Sequence, residues 1–168
     1  MKLNIGCGEK ILDGWTNIDK YPCDDGVTYG DIERGLTFPD STVDEILLDN
    51  VIEHLQSIPD VMREAHRLLR KGGKIYIYTP HYTSHSSWRD PTHLHHLSYF
   101  SFDMFCKQRN SHYLGGAIFK VVQKKLSFGG GISILGRLIF KLSPEIYERK
   151  FCYWFPASTL YVCLEAIK

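Results

Sequence analysis

Apolar and polar residues alternate in short blocks along the first part of the chain. These blocks predict four strands, at Lys2–Ile5, Trp15–Asp19, Val27–Tyr29 and Glu45–Leu48. Each block ends at a glycine or a polar residue, where the apolar character stops. Because ligands bind at the carboxyl ends of strands in open α/β sheets, we expect these ends to gather on one functional edge.

One amphipathic helix and a further strand follow these blocks. Ser57 and Pro59 predict the start of the helix, and the apolar residues that follow, as far as Leu69, fall on one helical face. Lys71–Gly73 is expected to stop the helix, because glycine readily adopts the conformation that ends helices. Lys74–Thr79 has the β-branched and aromatic residues typical of a strand. The alternation predicts an open α/β sheet.

The second half of the chain is less regular. His81–His96 is polar, rich in histidine and without a clear period, which indicates a long functional loop. Ser101–Lys107 predicts a short helix, whereas Phe119–Phe128 and Ser158–Ile167 predict two strands. Between these strands, the sequence predicts an insertion at 129–157.

The insertion combines glycines, an apolar stretch and aromatic residues. Gly129–Gly131 precede Ile132–Leu142, whose apolar spacing predicts a helix, and an aromatic cluster lies at Phe151–Phe155. We expect the helix to pack on the domain. The alternatives are a substrate lid or a contact with a membrane surface, because the aromatic cluster could bind a lipid-linked sugar or lie at an interface.

Composition and charge narrow the class of protein. The 168 residues are 43% hydrophobic, which suits one globular domain with a single core. The formal net charge of +1 gives no global field for nucleic acid or an anionic membrane. Five scattered cysteines without a CxxC pair are typical of reduced thiols, and no apolar run has the length of a membrane span. We therefore expect a soluble, cytoplasmic protein.

Three strand ends carry residues suited to a ligand that contains adenosine. Gly6 and Gly8 permit close approach of the backbone, because glycine has no Cβ. Asp19 can accept both ribose hydroxyls, and Asp31 can accept from an exocyclic amine. Each signal is weak alone, and the third glycine of GxGxxG is absent. Their order and spacing carry the prediction.

Several sequence blocks together resemble the class I S-adenosylmethionine-dependent methyltransferases, in particular the type 11 group. The blocks are LNIGCGEK, GWTNIDKYP, GDIE, LLDNVIEHL and VMREAHRLLRKGGKIYIYTPH. The similarity extends more loosely through DPTHLHHLSYFSFDMF, which resembles a subgroup associated with polysaccharide or cell-surface sugar pathways. The resemblance implies an α/β, Rossmann-like sheet, mostly parallel with an antiparallel last strand, in the order 3-2-1-4-5-7-6. It also implies S-adenosylmethionine as cofactor and S-adenosylhomocysteine as product.

The resemblance further implies a set of cofactor contacts. The glycine turn would border the methionine portion, and the strand-end residues would hold the ribose and the adenine. Lys20 would cover one adenine face. In chain order, the implied cofactor-binding residues are Gly6, Cys7, Gly8, Asp19, Lys20, Asp31, Ile32, Asn50 and His54.

The chain departs from these relatives at its N-terminus. Most relatives have one or two helices before the first strand and a full helix after the glycine turn, whereas this chain begins almost on the strand. We therefore expect a fold truncated at the N-terminus, whose cofactor lid is missing or supplied from elsewhere, for example by a partner subunit. Within one domain at 1–168, we expect a cofactor-binding half at 1–80 and an acceptor-side half at 81–168.

The histidine-rich loop supplies candidates for a general base. Methyl transfer from a sulfonium is an in-line displacement, so the protein mainly aligns the acceptor, but an oxygen acceptor must also lose a proton. His93 is the predicted base and Asp90 its orienting partner, with His81 as a further catalytic candidate. In the alternative interpretation, these are ordinary loop histidines beside a turn at Asp90.

A metal site is a further alternative for the loop, because imidazoles with a nearby carboxylate suit divalent ions. No HExxH or paired-cysteine spacing supports it, so the sequence assigns no metal ligand. The pair Glu53-His54 is explained better by the methyltransferase motif than by metal ligation.

The sequence thus predicts an S-adenosylmethionine-dependent methyltransferase that acts on a small-molecule or glycan-type acceptor, by oxygen or nitrogen methylation. The alternatives are a catalytically silent methyltransferase-like binding module and an NAD-dependent oxidoreductase. We expect no nucleic-acid partner. The sequence leaves open whether the chain forms a homodimer and whether it contacts a membrane surface.

Overall fold

Seven strands form one sheet in the order β3-β2-β1-β4-β5-β7-β6 in the computed structural model, which describes residues 1–131 and 133–168. The strands are β1 (Lys2–Ile5), β2 (Thr16–Asp19), β3 (Val27–Tyr29), β4 (Val43–Asp49), β5 (Leu69–Pro80), β6 (Ile118–Phe128) and β7 (Ala157–Ile167). The first five are parallel, and β7 is antiparallel to both of its neighbours. The predicted strand order and the antiparallel last strand are confirmed.

Helices are few and short. The α-helices are α1 (Ile58–Leu68), α2 (His85–Arg89), α3 (Ser133–Leu142) and α4 (Pro144–Ile146). Four 3₁₀ turns, at Ile32–Arg34, Ile52–His54, Ser101–Cys106 and Gln108–Leu114, and a π-helical turn at Tyr147–Phe151 complete the described helices. None of them, among residues 1–131 and 133–168, is long and apolar enough to cross a membrane.

The core lies between the central strands and α1. The apolar stripe of α1 is fully buried, as the residue spacing predicts, and Ser57 caps the helix by accepting a hydrogen bond from the Asp60 N–H (3.3 Å). The inner positions of the central strands are also fully buried, among them Leu3, Ile46 and Ile75. Burial of each such side chain stabilises the fold by about 1.5–3 kcal/mol. The buried central strands therefore hold the residues at their carboxyl ends in defined positions.

The end of α1 differs from the prediction. The helix ends at Leu68, and β5 begins at once, with Leu69 paired to Val43. The next pair is Lys74 with Glu45, so residues 70–73 stand opposite residue 44 alone. Gly72 has a φ of +77°, which suits glycine at such a bulge. The glycines predicted to stop the helix therefore form a bulge within β5 instead.

The connection from β1 to β2 contains no helix between residues 9 and 14, all of which are described. Two buried asparagines organise it. Asn4 Nδ2 donates to the Lys10 carbonyl (2.8 Å) and to Asn17 Oδ1 (2.9 Å). Asn17 Oδ1 also accepts from the Leu12 N–H (3.0 Å). These side chains satisfy backbone groups that a helix would otherwise pair.

The loop predicted at His81–His96 is partly helical. It includes α2, and Trp88 stacks on His96 with ring centroids 3.6 Å apart. The Tyr82 N–H donates to the Leu97 carbonyl (2.9 Å), which closes the segment at its base. The structure therefore shows an organised loop rather than an extended one.

The insertion forms a small second cluster beside β6 and β7. Its helix, α3, packs through Gly136, where an added Cβ would lie 2.6 Å from Cβ of Phe155. By contrast, Leu138 and Leu142 on α3 are 53% and 88% exposed. Ile132, where the predicted helix begins, lies outside the described residues. The lid and membrane-contact interpretations of this helix stay predictions.

Candidate functional site

The turn Gly6–Gly8 folds the chain over the end of β2. The N–H groups of Gly6 and Cys7 both donate to the Ile18 carbonyl (2.8 and 3.1 Å). Gly6 has a φ of +67°, and a Cβ there would lie 2.6 Å from Val51 Cγ2. A Cβ on Gly8 would meet no described atom within 4 Å. Packing thus requires glycine at position 6, whereas open space beside Gly8 leaves room for a ligand.

Asp19 holds this turn from the end of β2. Its Oδ2 accepts a hydrogen bond from the Gly8 N–H (2.8 Å), and its Oδ1 accepts from the Tyr21 N–H (2.8 Å). An ionised carboxylate has about four acceptor positions. Each oxygen of Asp19 therefore keeps capacity for a further donor, such as a ligand hydroxyl.

Asp31 follows β3, and its side chain is only 7% exposed. Its Oδ1 accepts from the Glu33 N–H (3.1 Å) and so caps the 3₁₀ turn. Its Oδ2 lies 3.3 Å from Lys20 Nζ and 3.5 Å from Arg34 Nε. The next residue, Ile32, is 4% exposed. The structure thus brings Lys20 to Asp31, beside an apolar side chain.

These residues share one cavity of about 510 Å³ at the carboxyl ends of the parallel strands, which we call the rim cavity. It is lined by Ile5, Gly6, Asp19, Lys20, Tyr21, Gly30, Asp31, Ile32, Glu33, Val51, His54, Leu55, Gln56, Thr92 and Leu94. Of the implied cofactor contacts, Cys7, Gly8 and Asn50 are outside this lining. Cys7 is 6% exposed, and burial together with the nearby Asp19 raises the pKa of its thiol.

A second cavity, of about 550 Å³, adjoins the first, and we call it the histidine cavity. It is lined by Asn50, Glu53, His54, Pro80, Ser86, Arg89, Asp90, Pro91 and His93. Because His54 lines both cavities, they share a wall. Asn50 has a φ of +56°, a conformation that asparagine tolerates better than most residues, and its Nδ2 donates to Asp49 Oδ1 (3.0 Å).

Thr92 links His54 to Asp90 in this second cavity. Its hydroxyl donates to Asp90 Oδ1 (2.7 Å), and its N–H donates to the same oxygen (2.9 Å). Since a hydroxyl has one proton, His54 Nδ1, 2.9 Å away, donates to Thr92 Oγ1. The two hydrogen bonds from Thr92 lower the pKa of Asp90, which keeps it ionised. In the neutral ring of His54, Nε2 therefore carries a lone pair.

His93 is held in a comparable way. Its Nδ1 lies 3.0 Å from the Ser87 carbonyl, which can only accept, so Nδ1 donates and Nε2 carries the lone pair. Nε2 lies 4.0 Å from Asp90 Oδ2, and the side chain is only 7% exposed. The ring centroids of His93 and His54 are 4.6 Å apart. The structure thus brings together the residues of the predicted Asp90–His93 pair.

His81 lies outside both cavities. It is fully buried, with Nε2 3.0 Å from Glu148 Oε1 and Nδ1 2.7 Å from Thr83 Oγ1. Glu148 Oε1 also accepts from the Tyr99 N–H (2.6 Å). His81 thus connects the end of β5 to the π-helical turn. Its catalytic role stays a prediction that this geometry does not favour.

Glu53 is the residue whose surroundings the sequence did not reveal. It is 1% exposed, and neither carboxylate oxygen has a hydrogen-bond partner among the described residues. Thr79 approaches the carboxyl group, but outside hydrogen-bonding geometry. Burial raises the pKa of Glu53. The one signal in the sequence is a carboxylate directly before His54 in an otherwise apolar run.

Comparison with known families gives a match that includes several of these strand ends. Residues 15–77 match the family model of the methyltransferase domain, and this range includes Asp19, Asp31, Asn50 and His54. None of the curated proteins compared with the chain matches it.

Solved structures share the fold of almost the whole chain. A S-adenosylmethionine-dependent methyltransferase from Archaeoglobus fulgidus is 20% identical, with 98% of this chain and 85% of that chain covered and a TM-score of 0.63. A complex between the Haloferax volcanii Trm112 methyltransferase activator and a methyltransferase matches at 14% identity. The match covers 99% of this chain and 82% of that chain, with a TM-score of 0.59. The [4+2]-cyclase SpnF matches at 14% identity. The match covers 99% of this chain and 74% of that chain, with a TM-score of 0.58.

At these identities the structural matches show the fold, while the family match covers β2, β3 and β4 but not β1 and its glycine turn. The strand order and the antiparallel β7 belong to the fold that the chain shares with these solved structures. Residues 15–77 are therefore similar to the methyltransferase domain, and the chain shares the fold of the S-adenosylmethionine-dependent methyltransferase from Archaeoglobus fulgidus.

Proposed function

We propose that the rim cavity binds S-adenosylmethionine and that the histidine cavity binds the methyl acceptor, which is methylated on oxygen or nitrogen. The observation that carries this proposal is the wall that the two cavities share at His54. A donor in one cavity and an acceptor in the other would meet across that wall. S-adenosylmethionine supplies a methyl group activated by its sulfonium charge, so the main task of the chain is alignment and exclusion of water.

The residues of the rim cavity fit this cofactor. The acceptor capacity left on Asp19 suits two ribose hydroxyls. The apolar side chain of Ile32 suits the adenine face, and the carboxylate of Asp31 suits the adenine amine. The open space beside Gly8 suits an approaching ligand. The volume of about 510 Å³ lies within the range of about 300–1,000 Å³ usual for small-molecule sites.

The histidine cavity supports an acceptor with hydroxyl or amine groups. Its lining includes the polar side chains of Asn50, Ser86 and Arg89, which can hydrogen-bond to a small molecule or a glycan. An oxygen acceptor must lose its proton, and Nε2 of His93 is free to take it. Asp90, ionised and 4.0 Å from that nitrogen, would stabilise the imidazolium.

Binding of the cofactor is tested by calorimetry with S-adenosylhomocysteine. We expect Asp19→Ala to weaken binding by at least about 100-fold, because hydrogen bonds to a charged group contribute about 1.5–3 kcal/mol each. Asp25→Ala is the matched control, since Asp25 is exposed and lies outside the lining of the rim cavity. Unchanged affinity of Asp19→Ala would reject the ribose assignment.

Transfer is tested by incubating the chain with S-adenosylmethionine and hydroxylated or amine-bearing sugars, and measuring S-adenosylhomocysteine formed. We expect His93→Ala to lower the rate by roughly 10²–10⁴-fold, the usual worth of a general base, while cofactor affinity is unchanged. Cofactor binding without product on any acceptor would instead support the silent binding module. The likeness to a cyclase makes this measurement necessary, because the fold alone does not set the reaction.

A further inference from the structure

The carboxylate of Glu53 is buried near the hydroxyl of Thr79, and no described residue gives it a hydrogen bond of normal geometry. The side chain is 1% exposed and both oxygens lack a hydrogen bond within the described chain. A buried carboxylate without a partner is costly, by several kcal/mol if it is ionised. A bound cation would remove that cost. The oxygens belong to a residue that lines the histidine cavity, which gives such a cation a route of entry.

Two imidazoles converge on the same point. Glu53, His54 and His93 each offer one ligand atom, and these atoms all lie within 4.8 Å of one another. Three ligand atoms at tetrahedral angles around one ion are about 3.4 Å apart at the usual metal–ligand distance of about 2.1 Å. A shift of less than about 1 Å by each atom therefore brings all three to coordination distance.

The hydrogen bonds behind the two histidines have the arrangement that metal ligation requires. Nδ1 of His54 donates to Thr92, which in turn donates to Asp90. Nδ1 of His93 donates to the Ser87 carbonyl. Ligating histidines commonly donate their second N–H to a carboxylate, a backbone carbonyl or a water, which fixes the tautomer. His93 has such a partner, and His54 reaches the carboxylate of Asp90 through Thr92. Both Nε2 lone pairs are thus available before any ion arrives.

We propose that Glu53, His54 and His93 bind one divalent metal ion of the Mn²⁺ to Zn²⁺ series, with its open coordination positions toward the histidine cavity. Two imidazoles and one carboxylate favour these ions over Mg²⁺ or Ca²⁺, which prefer oxygen ligands. This proposal is an alternative to the prediction that the methyltransferase motif explains Glu53-His54 better than metal ligation, and its third ligand comes from the loop after β5.

The role of the ion rests on the proposed function. An acceptor hydroxyl in an open position would lose its proton at a lower pH, as metal-bound water does. In the loaded protein, Nε2 of His93 would hold the ion and the proton of the bound hydroxyl would pass to Asp90 or to water, whereas in the metal-free protein Nε2 is free to act as the base. The two states therefore differ in how the acceptor proton is removed.

The site is tested by titrating the full chain, treated with a chelator and dialysed, with ZnCl₂, MnCl₂ or MgCl₂ in a calorimeter. We expect one Zn²⁺ or Mn²⁺ per chain and far weaker binding of Mg²⁺. Glu53→Gln and His93→Ala should each weaken Zn²⁺ binding by at least about tenfold, since even outer partners of metal ligands contribute about 10–100-fold. The absence of stoichiometric binding, or unchanged affinity in both variants, would overturn the proposal.

Matched controls are available in the same chain. His85 is exposed on α2 and Glu145 is exposed on α4, and neither lines the two cavities, so His85→Ala and Glu145→Gln should bind metal as the parent does. Should Glu53→Gln fail to fold, Thr92→Val removes the hydroxyl that pairs with His54 Nδ1 and Asp90 Oδ1, keeps the Thr92 N–H bond to Asp90, and is expected to lower metal affinity by about 10–100-fold.

Titration of the same samples with S-adenosylhomocysteine separates the two proposals. Glu53→Gln and His93→Ala are expected to keep the affinity of the parent for this ligand, because neither residue lines the rim cavity. Metal binding without S-adenosylhomocysteine binding would reject the proposed function and support the metal site. The opposite result would reject the metal site and leave the proposed function standing.

Discussion

Three carboxylates near the two cavities have different partners, and their partners indicate different roles. Asp19 accepts from two backbone N–H groups and keeps acceptor capacity on each oxygen. Asp31 caps a turn and faces two cations. The carboxylate of Glu53 has no hydrogen-bond partner in the described chain. The same chemical group therefore suits a neutral ligand in the first case, an amine in the second and a metal ion in the third.

Gly6 gives a prediction at the residue scale. We expect Gly6→Ala to lower the free energy of unfolding by about 1–3 kcal/mol, because φ is +67° and the new Cβ would clash with Val51. It should also weaken S-adenosylhomocysteine binding, since the turn borders the rim cavity. Urea unfolding and calorimetry measure the two effects.

The control for this substitution is Gly130→Ala. No described atom lies within 4 Å of a Cβ at Gly130, whose φ is outside the positive region, so stability should change by less than about 1 kcal/mol. Equal stability of Gly6→Ala and the parent would show that the turn tolerates a side chain.

Among the elements, α1 is tied to the segment between β3 and β4 by a polar network. Glu64 Oε1 accepts from the Leu36 N–H (2.8 Å) and from Arg67 Nη2 (2.7 Å). Arg67 also donates to the carbonyls of Phe38 and Leu36 (both 2.9 Å). This network holds the segment that follows Asp31 and so supports one side of the rim cavity.

The network predicts a pH-dependent contribution to stability. Burial alone would raise the pKa of Glu64, but the hydrogen bonds from Arg67 and Leu36 outweigh it and lower the pKa from 4.5. As pH falls, the unfolded state therefore takes up the proton first, and the contribution present above about pH 4.5 is lost as pH falls through the lower, folded value. We expect Glu64→Gln to cost about 1 kcal/mol at pH 7 and much less near pH 3.

Unfolding in urea at several pH values measures this difference. Glu145→Gln is the control, because Glu145 is 70% exposed and pairs only with Arg149 at 3.4 Å in the described chain. Its effect should stay below about 0.5 kcal/mol at each pH. A cost of Glu64→Gln that does not change with pH would contradict the argument.

The pattern of apolar residues predicted most elements, because strands and α1 bury one face or both. It failed at Gly72, since a glycine with positive φ serves a bulge as well as a helix end. It also failed to reveal α2, whose one histidine, two serines, tryptophan and arginine have no apolar period. Asn4 and Asn17 gave no signal either, because their role depends on contacts between β1 and β2.

Across the whole molecule, the parallel sheet gathers residues that are distant in sequence. Strand-end position was enough to predict that Asp19 and Asp31 share a cavity, because parallel strands end on one edge. The approach of His93 to Glu53 was not predictable, since it depends on the path of the loop after β5. A site formed between strand ends is thus easier to infer from sequence than one completed by a loop.

Ligand-dependent stability tests the whole assignment. A ligand that binds the native state at 100 times its Kd stabilises it by about 2.7 kcal/mol. We expect S-adenosylmethionine and S-adenosylhomocysteine to raise the Tm of the chain and NAD to leave it unchanged. Stabilisation by NAD alone would favour the oxidoreductase alternative.

The carbonyl of Glu53 accepts hydrogen bonds from the N–H groups of Leu94 (2.8 Å) and His95 (3.1 Å). The backbone directly after His93 is therefore hydrogen-bonded to Glu53, the residue that the His93 side chain approaches. Its conformational entropy is lost when the protein folds, not when a ligand arrives, so binding in the histidine cavity requires little further ordering. Loss of these two hydrogen bonds would weaken binding there without removing any group that touches the ligand.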